Sequence, residues 1–313
     1  MGRIAQSIGQ LSFVNHTYVS LINTLKGTGV AIVTPFKKNK DIDDAALEKL
    51  IEHLIGNHVE YIVTLGTTGE TPTLSREEKK QVATFTLDKV NGRVPVVIGI
   101  GGNNTKETVD HFQDYPLERF EAILSASPYY NKPSQEGIFQ HYKTLAQHSP
   151  RPIILYNVPA RTGSNISVET TLRLSEIEKI GGIKEASGNM VQCMHILQKR
   201  PDDFLFVSGD DHITLPLLGC GADGVISVVA NSFSKDFSEL VRAGLHNDFA
   251  KAQKLQYKLL EAMDLMFAEN NPAGVKCFLA AFNLIENELR LLLVPLSEAF
   301  NNKVKAYVKQ YTS

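Results

Sequence analysis

From residue 29 onward, short and almost continuously apolar runs alternate with longer amphipathic ones. The eight runs are VAIVTPF (30–36), YIVTLG (61–66), VPVVIGI (94–100), AILSASP (122–128), PIILYNV (152–158), GGIKEA (181–186), FLFVSG (204–209) and GVISVVA (224–230). Strands that lack polar alternation are covered on both faces, which is the condition of a parallel sheet under helices. The intervening DDAALEKLIEHLI (43–55), SREEKKQVATFTLDKV (75–90) and SVETTLRLSEI (167–177) each open on an Asp or Ser suited to an N-cap. Eight such units predict an α/β fold, a closed (β/α)8 TIM barrel spanning 27–232, with an open doubly wound sheet as the structural alternative.

Past the eighth run the pattern turns helical. FSELVRAGLHNDFAKAQKLQYKLLEAMDLMF, PAGVKCFLAAFNLI and PLSEAFNNKVKAYVKQY predict a C-terminal helical domain over 233–313, a three-helix extension suited to packing or assembly rather than chemistry. Residues 1–26 read as an N-terminal extension of unknown order. Phe13, Val14, Val19, Leu21 and Ile22 are interspersed with polar residues, so no signal-peptide h-region forms, and Gln6 stands where a myristoylation pattern needs Ser or Thr.

Several function classes lose support on composition. Net charge is −2 with no Lys/Arg-rich run to neutralise a row of phosphates, which argues against nucleic acid. No stretch approaches the ~18–20 apolar residues of a membrane helix. Cys193, Cys220 and Cys277 are far apart and form no CxxC, so neither a disulfide framework nor a thiolate zinc site is indicated, and a reduced, cytoplasmic setting is expected. GIGGNN (99–104) fails the dinucleotide fingerprint at Asn104, so no nicotinamide cofactor is implied. SGDDH after the seventh run is expected to supply a helix N-cap from Asp210 or Asp211 rather than metal ligands.

Chemistry in such a barrel gathers at the C-terminal ends of the strands. Lys184 lies inside the sixth run, where an ammonium must find a partner, reach water or be held neutral, and only a neutral amine is a nucleophile. After the second run, GTTGE offers Thr67 and Thr68 with backbone N–H groups, a cradle for a carboxylate or phosphate. The adjacent Tyr129 and Tyr130 follow the fourth run, and Tyr156 closes the fifth, with Arg161 of PARTG placed for a bidentate carboxylate contact. A strand lysine, a carboxylate cradle, a strand-end tyrosine and a recognition arginine are the parts of a metal-free aldolase that works through an imine.

The ordered motifs GTGVAIVTPF, GTTGET, SPYYNKPSQEG, YNVPARTG, GGIKEASGN, VSGDD and GVISVVAN also resemble those of the dihydrodipicolinate synthases, or 4-hydroxy-tetrahydrodipicolinate synthases, of the pyruvate-dependent aldolase superfamily. The resemblance covers residues 27 to about 300. It implies a lyase that condenses pyruvate with L-aspartate 4-semialdehyde on the way to diaminopimelate and lysine, without cofactor or metal, and usually a homotetramer built as a dimer of dimers. By the same resemblance Lys184 is the imine lysine, Tyr156 the proton relay, and Thr67 the link to a second tyrosine, Tyr130, supplied by a neighbouring subunit. Thr68 holds the pyruvate carboxylate, Arg161 receives the semialdehyde, and Gly209 and Ile226 line the pyruvate pocket.

Departures from the family pattern fall on Leu292, where proline is usual, on Phe120-Glu121, where Gly-Ala/Asp is usual, and on the N-terminal residues. A lysine effector site is implied at Asn103, Glu107 and Tyr129, but Arg76 and Lys79 occupy its histidine positions, which predicts weak or absent inhibition by lysine. Two other readings compete with this one. N-acetylneuraminate lyase or another pyruvate-dependent aldolase fits Arg161 and Thr67 less well, and a catalytically silent binding barrel fits poorly with intact Lys184, Tyr156 and Thr67.

Overall fold

The computed structural model describes residues 20–313. Eight parallel strands, β1 (Gly27–Ala31), β2 (Tyr61–Thr64), β3 (Val96–Gly99), β4 (Ala122–Ala126), β5 (Ile153–Asn157), β6 (Ile180–Glu185), β7 (Leu205–Ser208) and β8 (Gly224–Ser227), pair in sequence order. The ring closes where β1 pairs with β8, which excludes the open doubly wound sheet. Each strand is followed by one principal helix: α1 (Asp44–Gly56), α2 (Arg76–Val90), α3 (Thr105–Asp110), α4 (Gln135–His148), α5 (Val168–Ser175), α6 (Met190–Lys199), α7 (Thr214–Gly219) and α8 (Ser234–Leu245).

The continuous apolar character of the strands has a direct cause. Successive side chains point to opposite faces, so Tyr61, Val63, Val97, Leu124, Ile154, Val207 and Ile226 fill the barrel interior. Their neighbours Ile62, Ile98, Ile123, Leu155 and Val225 pack outward under the helices. The expected helix starts form as read. Asp43 accepts from the Ala46 N–H, Ser167 accepts from the Thr170 N–H, and Ser75 and Glu78 make a reciprocal capping box. Asn104 also caps, accepting from the Glu107 N–H.

Three expectations change. Within the N-terminal extension expected over 1–26, residues 1–19 lie outside the described residues, among them Gln6, Phe13, Val14 and Val19. Residues 20–26 belong to the barrel, with Leu21 and Leu25 buried in its interior core. Thr24 donates to Glu121 and so fastens this plug. Next, the long helical run after β8 is two helices. At Asn247 the backbone turns left-handed (φ 63°), and Asp248 caps the following helix by accepting from the Lys251 N–H. The first half, α8, packs on β1 and β8 as the barrel's own eighth helix, so the extension proper comprises α9 (Phe249–Phe267), α10 (Ala273–Ala281) and α11 (Glu298–Thr312). Finally, neither Asp210 nor Asp211 caps α7, whose N-terminus has no side-chain cap. Asp211 is buried and accepts from the Val228 and Val229 N–H groups, holding the loop after β8; burial pushes its carboxyl upward from the usual range.

Candidate active site

The C-terminal rim of the barrel brings most of the expected residues together. In the β5–β6 register Tyr156 lies directly beside Lys184, whose ammonium sits over the tyrosine ring at 4.3 Å from its centroid. Both are nearly enclosed, at 5% and 8% exposure. The next residue along the strand, Glu185, faces the other way, because alternation puts it outside the barrel wall. There its carboxylate accepts from Asn157 (2.9 Å), Gln192 (3.0 Å) and the Ser187 N–H (2.7 Å). No carboxylate lies within ion-pair distance of Lys184 among the described residues.

Glycine at 209 is a spatial requirement. A Cβ there would stand 2.7 Å from the Ala186 Cβ and 3.0 Å from the Lys184 Cε, so only glycine leaves the amine its room. Ile226 lines the interior nearby, 1% exposed. The glycines of GIGGNN also have a packing role, since a Cβ on Gly99 would meet the Leu65 carbonyl oxygen at 2.2 Å.

The threonine turn folds as a short 3-10 turn, Thr67–Gly69, and its left-handed residue is Glu70 (φ 54°) rather than either glycine. Thr71 Oγ1 braces it by donating to the Leu65 and Gly66 carbonyls at 2.8 and 2.9 Å. A cavity of about 250 Å³ is lined by Gly66, Thr67, Lys79, Ala126, Tyr129 and Tyr156. Thr68 is buried, and its hydroxyl oxygen accepts from Asn271 Nδ2 at 3.0 Å. Arg161, in the helical turn Pro159–Thr162, makes two long contacts, to the Asn271 carbonyl (3.3 Å) and to Asn270 Oδ1 (3.4 Å). Among the described residues no carboxylate pairs with it, so its fork is open to one from a substrate.

Tyr130 does not join the site within one chain: it is 83% exposed, on a left-handed backbone position (φ 72°). The residues expected for the effector site are split. Tyr129 and Lys79 line the cavity that also holds Thr67 and Tyr156, whereas Asn103 and Glu107 are exposed on and before α3. Arg76 is not a free cation. It grips Asp114 through Nε and Nη2, and together with His111 and Lys80 it holds that carboxyl down at about 2.

Sequence reading missed Glu70, Lys276 and Asn271. Glu70 and Lys276 form an ion pair with both side chains fully buried. The Lys276 ammonium also donates to the Glu288 carbonyl (2.9 Å) and lies 4.2 Å from the centroid of the Phe36 ring. One signal was available: PAGVKCFLAAF carries a single charge in an otherwise apolar helix.

A profile of the dihydrodipicolinate synthetase family matches residues 24–311. A 4-hydroxy-tetrahydrodipicolinate synthase of Flavobacterium psychrophilum is 49% identical over 285 residues, covering 91% of this chain and 97% of the relative. The crystal structure of the chloride-inhibited dihydrodipicolinate synthase of Acinetobacter baumannii complexed with pyruvate superposes with a TM-score of 0.90 at 39% identity, covering 92% of this chain and 99% of that one. A structure described as the first monomeric dihydrodipicolinate synthase variant also reaches 0.90 at 37% identity, covering 94% and 99%.

Proposed function

Because the chain belongs to the dihydrodipicolinate synthetase family, we infer that it has 4-hydroxy-tetrahydrodipicolinate synthase activity and that Lys184 carries the chemistry. It is a lyase of the class I aldolase type, acting on pyruvate and L-aspartate 4-semialdehyde. The observation that carries the role of Lys184 is an enclosed amine over the Tyr156 ring with no carboxylate beside it.

The amine attacks the C2 carbonyl of pyruvate, and loss of water leaves an imine. The protonated imine draws electrons from the C3–H bond, a proton leaves, and the resulting enamine attacks the aldehyde carbon of the second substrate. Tyr156, in direct register with Lys184, is suited to carry protons in these steps. Thr68 and the N–H groups of its turn hold the pyruvate carboxylate, Thr67 links Tyr156 to Tyr130, Gly209 and Ile226 shape the pyruvate pocket, and Arg161 receives the carboxylate of the semialdehyde. A nitrogen ring in the product requires the semialdehyde's own amine to attack the imine carbon and displace Lys184.

Borohydride reduction in the presence of pyruvate tests this reading. A stable adduct on the peptide holding Lys184, absent from Lys184→Ala, is expected; undiminished labelling of Lys184→Ala would sink it. Slow residual turnover in that variant would not, since the cradle still positions reactants.

Tyr130 is exposed and directly follows Tyr129, which lines the cavity; this favours a partner that completes the relay, within the cytoplasmic homotetramer that the family resemblance implies. Among the described residues no helix is long and apolar enough to cross a membrane. Mixing Tyr130→Phe with Lys184→Ala should regenerate some active sites after subunit exchange. No recovery after proven exchange would confine the relay to one chain.

A further inference from the structure

The C-terminal extension reaches into the threonine turn through two buried polar contacts that neither the barrel nor simple packing requires. Asn271, just before α10, is 4% exposed and places its Nδ2 3.0 Å from Thr68 Oγ1, while its own Oδ1 has no hydrogen-bond partner among the described residues. A buried amide that leaves an oxygen unpaired costs stability, so packing alone does not account for it. On α10 itself, Lys276 pairs with Glu70, the left-handed residue that ends the Thr67–Gly69 turn, and the second Glu70 oxygen accepts from the Arg290 N–H at 3.1 Å. A non-glycine residue in the left-handed region persists only where its surroundings hold it. The same extension therefore fastens the turn at one end and touches its central hydroxyl at the other.

A threonine hydroxyl has one proton and two lone pairs. With a lone pair on Thr68 Oγ1 already taken by the Asn271 N–H, the threonine proton is left to donate elsewhere. We propose that Asn271 is a positioning residue, which orients the Thr68 hydroxyl as a donor toward the pyruvate carboxylate. The proposal rests on the reading of Thr68 as part of the carboxylate cradle. It makes the extension part of the binding apparatus and not only a packing element.

The test compares Asn271→Asp with Asn271→Ala by the pyruvate concentration that half-saturates borohydride trapping at Lys184, with a thermal midpoint for each variant. Aspartate at 271 accepts only, so it captures the threonine proton and sets an anion behind the cradle. Half-saturation is expected to rise about 10-fold or more. Alanine merely releases the hydroxyl to rotate and should raise it about 3-fold. A purely structural residue gives values that follow the thermal midpoints. Equal effects of the two variants, or a larger effect of alanine, would overturn the proposal.

If Asn271→Asp does not fold, the cycle of Thr68→Val and Asn271→Ala decides. In the Thr68→Val background the alanine change should add nothing to half-saturation, and full additivity would overturn the idea. Absence of pyruvate trapping in the unmutated chain would instead sink the reading of Lys184 itself.

Discussion

The Lys184 ammonium and the Tyr156 ring face one another because β5 and β6 pair these two residues directly, while Glu185 and Asn157, the next pair along, meet on the far side of the same wall. One strand register thus separates an amine kept free of carboxylates from a carboxylate fully occupied by neutral donors.

Tyr156→Phe keeps the ring under the amine and removes only the hydroxyl. Turnover should fall about 10²-fold or more, the usual scale for a positioned acid–base group. Pyruvate trapping should persist, because the stacking partner of Lys184 remains. Loss of less than a few-fold in kcat would remove Tyr156 from the proton path.

Arg161 makes long contacts to residues 270 and 271 and, among the described residues, has no carboxylate of its own. Arg161→Ala removes a charge-assisted contact worth about 1.5–3 kcal/mol, so kcat/KM for aspartate semialdehyde should drop about 10–150-fold. Imine formation should survive. An unchanged kcat/KM would show that the carboxylate is held elsewhere.

Inhibition by lysine should be weak. Arg76 spends its charge on Asp114, which leaves Lys79 as the cation that faces the cavity beside Tyr129. Lys79→His should then strengthen inhibition. Half-inhibition of the unmutated enzyme at sub-millimolar lysine would refute the expectation.

Acid should destabilise the fold through His141. Burial on α4 pushes its imidazole down to about 4 from the ordinary 6.5, with Nδ1 bonded to the Thr105 hydroxyl at 2.9 Å. Below pH 6.5 the unfolded chain takes up a proton that the folded chain resists. Stability therefore falls as pH drops from 6.5 toward 4, by about 3 kcal/mol across the window. The Asp114 carboxyl adds its loss only lower, between 3.8 and about 2. Urea midpoints at pH 7 and pH 4.5 should lie closer together in His141→Gln than in the unmutated chain; an unchanged gap would clear His141 of the effect.

Much of this protein is legible in its sequence, because strand burial on two faces and helix capping are local conditions. Eight apolar runs spaced by capped amphipathic segments suffice for the barrel, and Lys184 inside the sixth run, with Tyr156, the threonine turn and Arg161 at other strand ends, suffices to propose imine chemistry. The turn at Asn247 was less visible, since a helical pattern continues on both sides of it and one left-handed residue breaks it. What only the tertiary structure decided are the contacts between residues remote in the chain. Thr68 meets Asn271 across 203 positions, Glu70 meets Lys276, and Tyr130 is turned outward while Tyr156 is enclosed. No periodicity encodes such pairs, because a buried polar group takes whatever partner packing brings within about 3 Å, and that partner is chosen only when the barrel and its extension close on each other.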